Sequence, residues 1–201
     1  MITTFFSISI LVLGMAVGFI YFILKENRME RVSILAKCTG SFLYVFLGAT
    51  SLVLYGQNPV SNYTIWFLLL CMIADGLLEK SFIIGMFTFG VAHVVFITGN
   101  IKNAASVNIL VFFVSWAIVM AVSLMIFKRD LGRMKFQSLP FLIYAGVLIA
   151  DFALCLSLAS LTVTSHNKLI SAGTLLFYIS DMMIAKEEFG KRIKSRPFMI
   201  M

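Results

Sequence analysis

Long apolar segments recur along the whole sequence, and they constrain the fold more than any other feature. Each has roughly 18 residues or more, enough for an α-helix to cross a hydrocarbon core about 30 Å thick. Charged residues make up only 12% of the 201 residues, whereas soluble domains carry about 25%. The short alternating segments of a membrane β-barrel are not found. The sequence therefore predicts an all-α protein, a polytopic transmembrane helix bundle that forms a single domain over residues 1–201.

Seven membrane spans are predicted from the apolar segments and from the Gly-, Asn-, Ser- and Pro-containing joints between them. The first segment is not expected to be a signal peptide, because no Lys or Arg precedes it and it exceeds the roughly 7–15 apolar residues of such a peptide. The joints are too short to hold a soluble domain. The predicted spans are 2–24, 38–56, 62–78, 82–99, 105–127, 139–162 and 168–185.

The basic residues are distributed unevenly between the two sides of this bundle. The loops after spans one, three, five and seven hold fourteen Lys and Arg, whereas the other side holds Lys102 and Lys168. Because cytoplasmic loops carry the excess of positive charge, the N-terminus is predicted outside and the C-terminal tail in the cytoplasm. We expect an integral protein of a bacterial plasma membrane. Its basic rim should attract anionic membrane lipids, and we expect no nucleic-acid partner.

The cysteine and histidine content argues against a disulfide framework and against a metal site. Cys38, Cys71 and Cys155 are scattered over separate apolar segments without a C-x-x-C pair. The sequence contains two histidines, His93 and His166, too few for the several His ligands of a zinc-dependent lipid amidase. We therefore expect no metal and no cofactor.

Two aspartates near the predicted cytoplasmic ends of spans are the strongest candidates for chemistry. Asp75 lies about four residues before the end of span three, and Asp181 about four residues before the end of span seven. At 1.5 Å per residue, both are roughly 6 Å below the same interface. Two carboxylates at one depth in a low-dielectric pocket repel each other, so one can keep its proton and act as an acid beside a base. The alternative is that each aspartate caps a helix end or pairs with a rim lysine.

Four further residues are candidates for supporting roles. Lys37 opens span two, where it can bind a phosphate, pair with Asp75 or simply anchor the span. His93, about 16 Å into span four, either makes a pocket polar or bonds a neighbouring group. Asp151 lies in the middle of its span, and a structural pair with His93 is an open alternative. Ser180 belongs to no G-x-S-x-G motif, so we expect a binding or packing hydroxyl and not a nucleophile.

Two sequence blocks resemble the lysoplasmalogenase-like YhhN family of membrane proteins. "LLLCMIADGLLEKSFIIGMFTFGVAHVVFITG" is similar to that family's third and fourth spans, through Asp75, Gly85, Phe89 and His93. Lys37 lies where the family has a Lys that opens span two, and the resemblance covers roughly residues 30–190. "SAGTLLFYISDMMIAKEEFGK" is similar to the family's late Gly-x-Leu-x-Phe-x-x-Ser-Asp block, through Gly173, Leu175, Phe177, Ser180, Asp181 and Ala185.

This resemblance implies an enzyme that hydrolyses the vinyl ether bond of lysoplasmalogens, giving a fatty aldehyde and a glycerophospho-alcohol. Asp75 and Asp181 are then expected to be its acid and base, a pair that needs neither a metal nor a nucleophile. Lys37, His93 and Ser180 are expected to bind the lysophospholipid substrate. The alternative is a proton-coupled transporter or a lipid-binding membrane protein that uses the buried carboxylates. Such transporters usually show repeats or Gly/Pro-broken helices, and the three prolines here all lie near span ends.

The sequence departs from the family pattern at several places. Cys38 stands where a proline is usual, and Ala74 and Phe96 replace the commoner Gly and Tyr. Members of the family usually have an eighth span, and this sequence ends at "RPFMIM", about where that helix is expected to start.

Overall fold

The structure is a computed structural model that describes residues 2–27, 30–55, 59–134, 138–162 and 164–195. Within these residues the chain forms seven α-helices and no strand, which confirms the all-α fold class. The helices are α1 (Ile2–Glu26), α2 (Glu30–Tyr55), α3 (Pro59–Lys80), α4 (Phe82–Asn103), α5 (Ile109–Met134), α6 (Ser138–Leu161) and α7 (Ser165–Ser195).

Five of these helices contain a segment that is long and apolar enough to cross a membrane. Among the described residues, α1 and α3 contain shorter apolar segments, Val12–Tyr21 and Asn62–Leu78. The chain is therefore a helical membrane bundle. The five longer segments are Ile34–Leu54, Phe82–Asn103, Ile109–Leu131, Ser138–Leu161 and Ser165–Lys186.

Several helices extend beyond the spans predicted from hydropathy. Helix α2 begins at Glu30 instead of residue 38, and α7 ends at Ser195 instead of residue 185. The physical reason is that Lys, Arg and Glu are good helix formers, so a helix continues through the polar interface after its apolar segment has ended. Lys37 therefore lies inside α2, while it remains near the start of the apolar segment Ile34–Leu54.

The start of α5 is displaced in the other direction, to Ile109 instead of residue 105. Asn108 caps the helix, since its side-chain oxygen accepts a hydrogen bond from the Val111 backbone N–H at 3.2 Å. The Ser157 hydroxyl of α6 donates to the Asn108 carbonyl at 3.0 Å. The cap thus fixes both the first turn of α5 and its contact with α6.

Helices α1 to α4 belong to one compact unit, Met1–Asn103. Within it, α3 and α4 approach each other closely at two glycines of α4. A Cβ added at Gly85 would lie 2.6 Å from the backbone nitrogen of Leu78, and one added at Gly99 would lie 2.5 Å from Cβ of Tyr63. Any larger residue at either position would push the two helices apart.

Helices α5 to α7 belong to the second unit, Ala104–Met201. Helix α6 is its core, because α6 has buried residues on all its faces, as expected for a helix that is apolar all round. The Trp116 indole of α5 donates to the Gly146 carbonyl of α6 at 3.2 Å. The hydroxyls of Ser123 and Tyr178 are hydrogen-bonded at 2.5 Å, joining α5 to α7. The single domain over residues 1–201 stays a prediction.

Some sequence-based expectations concern residues outside the described part of the chain. These are the basic residues Arg28, Lys135 and Arg196 and the segment 196–201, where an eighth span is expected to start. The orientation in the membrane stays a prediction, as does the bacterial plasma membrane as the location.

Candidate active site

Asp75 lies near the end of α3 and takes its partners from α2. Lys37 Nζ is 3.1 Å from Asp75 Oδ1, and the Ser41 hydroxyl donates a hydrogen bond to Asp75 Oδ2. The two α2 residues are four positions apart and therefore share one face of that helix. The side chains of Lys37 and Asp75 are only 18% and 16% exposed. The charge of the carboxylate is thus compensated within the bundle, and this explains how an apolar segment tolerates Asp75.

The surroundings of this ion pair involve three helices of the first unit. Lys37 Nζ lies 5.9 Å from the ring centroid of Tyr21 in α1, within the range of a cation–π interaction. Next to Asp75, a Cβ added at Gly76 would lie 3.9 Å from Cys38 Sγ, an ordinary contact distance between α2 and α3. Neither Tyr21 nor Ser41 is among the residues that the sequence predicts for the site. Ser41 could have been found from its i, i+4 spacing to Lys37.

Asp181, in α7 of the second unit, accepts a hydrogen bond at Oδ2 from the Tyr144 hydroxyl of α6. Tyr144 is buried and Asp181 is half-buried. A buried tyrosine in an apolar helix needs a partner for its hydroxyl, but the sequence gives no indication of which residue that is. Each aspartate is followed, five residues later, by a lysine, Lys80 or Lys186. At 1.5 Å per residue, the backbone positions of each aspartate and its lysine are about 7.5 Å apart along the helix axis.

His93 and Ser180 have different surroundings. His93 is buried in α4, and its ring makes a T-shaped contact with Phe67 of α3, with centroids 5.2 Å apart. Phe67 precedes Asp75 by eight residues, or about 12 Å along α3, so His93 packs at a different level from the Lys37–Asp75 pair. The side chain of Ser180 is exposed on α7. Their roles in substrate binding stay predictions.

Asp151 is fully buried in α6. The Cys155 thiol, one turn later in the same helix, lies 3.7 Å from Asp151 Oδ1 as a weak donor. Asp151 therefore has a structural contact within its own helix, and its pairing with His93 stays a prediction. Among the residues that the structure describes, no group of three or more His, Cys, Asp or Glu side chains could hold a metal ion.

Of the residues predicted for the site, the structure brings Lys37 and Asp75 together. Asp75 pairs with the Lys37 ammonium and accepts the Ser41 hydroxyl, and Asp181 accepts the Tyr144 hydroxyl. Asp75 and Asp181 belong to different units, and their convergence on one substrate stays a prediction.

Comparison with known proteins identifies the family of this chain. The model of the YhhN family matches residues 32–201. Neither the curated proteins nor the solved structures gave a match. Since the family match covers most of the 201 residues, the chain belongs to the YhhN family, and the resemblance of its two sequence blocks is confirmed.

Proposed function

We propose that this protein is a membrane-embedded hydrolase that cleaves the vinyl ether bond of lysoplasmalogens by acid–base chemistry. Membership of the YhhN family supports a lysoplasmalogenase-like protein. The observation that carries the proposal is the environment of Asp75, a carboxylate held inside the bundle by Lys37 and Ser41. Ionisable groups at such positions are costly and are usually functional. We propose that Asp181 and Asp75 act on the same substrate.

The chemistry of a vinyl ether suits two carboxyl groups. An acid transfers its proton to the alkene carbon, and the electron pair of the double bond forms the new C–H bond. The resulting oxocarbenium ion is stabilised by the second group, a carboxylate. That carboxylate accepts a proton from water as the water oxygen bonds to the cationic carbon. The hemiacetal then collapses to an aldehyde and an alcohol. General acid–base catalysis of this kind contributes about 10²–10⁴-fold.

The contacts of the two aspartates suggest how the roles are divided. Asp75 lies 3.1 Å from the Lys37 ammonium, so we assign to it the carboxylate that stabilises the cation and activates water. Asp181 accepts the Tyr144 hydroxyl, and we assign to it the acid that protonates the alkene carbon. An ammonium has three N–H donors, so Lys37 can bind the substrate phosphate while it remains paired with Asp75. We propose that His93 and Ser180 provide further polar contacts to the substrate.

The test is product analysis with purified protein. Lysoplasmalogen and an ester lysolipid are supplied separately, each with and without a chelator. We expect aldehyde from lysoplasmalogen only, insensitive to the chelator. Asp75→Asn and Asp181→Asn should each lower aldehyde release by at least about 10²-fold. The double variant should be no slower than the single variants, because the two residues act as one unit.

The matched control is Asp130→Asn, which makes the same change at a half-buried aspartate near the end of α5 and should keep wild-type turnover. Wild-type turnover in Asp75→Asn or in Asp181→Asn would refute the assignment. Uptake of the lipid into vesicles without any product would favour transport instead.

A further inference from the structure

A groove of about 410 Å³ lies between α5 and α7 of the second unit. Its walls include Val122 and Ile126 of α5 and Ile179 and Met183 of α7. Tyr178 also lines it, but the Tyr178 hydroxyl is hydrogen-bonded to Ser123. The groove is therefore apolar along its length, and its volume lies within the range of about 300–1,000 Å³ of ligand-binding sites.

The groove lies within the membrane-spanning part of the chain. Its walls come from the apolar segments Ile109–Leu131 and Ser165–Lys186, and several wall residues are exposed, among them Ile126 at 50% and Met183 at 69%. Exposed side chains of a membrane span contact hydrocarbon. The groove thus has the surroundings and the chemistry to bind a hydrocarbon chain.

One end of the groove carries positive charge. Lys186 lines the groove at the end of the apolar segment of α7, and its side chain is exposed. Arg129, also exposed, follows Ile126 by three residues and Val122 by seven, so it lies on the groove face of α5. Both cations are at the C-terminal ends of their apolar segments, the side predicted to be cytoplasmic. A basic residue near the membrane surface attracts an anionic lipid by about 1 kcal/mol.

We propose that this groove binds one hydrocarbon chain of an anionic phospholipid whose phosphate lies against Lys186 and Arg129. The site is separate from the proposed catalytic residues. Asp181 does not line the groove, and its carboxylate accepts the Tyr144 hydroxyl from α6. The bound lipid would connect α5 to α7 along their length and stabilise the second unit.

The experiment measures lipid binding to the full chain, purified in detergent, by native mass spectrometry and by the shift of the thermal midpoint. The probes are phosphatidylglycerol and phosphatidylcholine with identical chains. We expect the anionic lipid to bind more tightly to the wild-type chain. Lys186→Gln should lower the affinity for phosphatidylglycerol about fivefold and leave the affinity for phosphatidylcholine unchanged. Lys168→Gln, the same change at an exposed lysine near the other end of α7, should have no effect.

A second pair of variants tests the apolar part of the site. Ile179→Trp places a large ring in the groove and should lower the affinity for both lipids by about fivefold or more. Leu176→Trp introduces the same ring on the same helix, at an exposed residue outside the groove lining, and should preserve binding. Equal affinity for the two lipids would overturn the proposal, as would equal effects of Lys168→Gln and Lys186→Gln. A dimer in light scattering that Ile179→Trp dissociates would also overturn it, because the occupant would then be a second copy of the chain.

Discussion

Replacing Lys37 with methionine should destabilise the protein, because it leaves the Asp75 carboxylate without its ammonium. At a separation of 3.1 Å and an effective dielectric constant of about 20, the Coulomb attraction is about 5 kcal/mol, and desolvation of both groups offsets part of it. Exposed pairs contribute about 0.2–1 kcal/mol, and breaking a fully buried pair costs about 3–5 kcal/mol. With side chains 18% and 16% exposed, we expect Lys37→Met to lower the free energy of unfolding by about 2–3 kcal/mol.

The reverse change, Asp75→Asn, should cost less, about 1 kcal/mol. The flexible stem of Lys37 allows its ammonium to move toward the interface, and an amide can still accept the Ser41 hydrogen bond. The carboxylate in Lys37→Met has no such freedom, because an aspartate side chain is short. The double variant Lys37→Met/Asp75→Asn should therefore be close to Asp75→Asn alone.

The assay is thermal unfolding of the purified chain in detergent, followed by intrinsic fluorescence. For a chain of 201 residues, the expected loss in Lys37→Met corresponds to a midpoint lower by roughly 5–10 °C. The control Lys80→Met removes an exposed lysine at the end of α3 and should change stability by less than about 0.5 kcal/mol. The reasoning fails if Lys37→Met is no less stable than Lys80→Met, or if the double variant loses the sum of the two single effects.

Two further predictions concern positions that the structure distinguishes. Tyr144→Phe removes the hydroxyl that donates to Asp181 and should lower kcat for aldehyde release roughly tenfold, with KM unchanged. The control is Tyr63→Phe, which loses a hydroxyl bonded to Lys102 and should not alter kcat. Gly85→Ala should destabilise by about 1–3 kcal/mol through overpacking against α3. Gly173→Ala adds a Cβ that would meet nothing within 4 Å, so it should raise the free energy of unfolding by about 0.5–1 kcal/mol in the same assay. Equal effects of Gly85→Ala and Gly173→Ala on stability would contradict the packing argument.

The fold could be predicted from sequence because the hydrocarbon core imposes a minimum length on each apolar segment. Each of the seven predicted spans falls on one of the helices α1 to α7. The ends of the helices could not be predicted in this way, since polar residues continue a helix beyond the membrane. Lys37 shows the consequence, because hydropathy places it at the start of a span while the structure places it well inside α2.

The candidate site could be predicted in part, for a different physical reason. Placing a carboxylate in a membrane-spanning segment costs free energy, so such a residue is usually functional. Asp75 and Asp181 can be identified as candidates from the sequence for this reason. The Lys37–Asp75 pair is one of the alternatives that the sequence leaves open, and the structure contains it. Tyr144 could not be predicted, because apolar helices contain many aromatic residues, and only the relative rotation of α6 and α7 determines which hydroxyl meets Asp181.

The two aspartates share one local arrangement, and Asp75 in addition pairs with an ammonium. Each accepts a hydroxyl from the helix that precedes its own in the chain, Ser41 of α2 for Asp75 and Tyr144 of α6 for Asp181. Repulsion between two identical carboxylates at one depth would not by itself determine which of them keeps a proton. The ion pair with Lys37, at 3.1 Å, gives Asp75 a charged partner on α2. In the proposed reaction, the division of roles between acid and carboxylate therefore follows from their partners on α2 and α6 and not from the aspartates themselves.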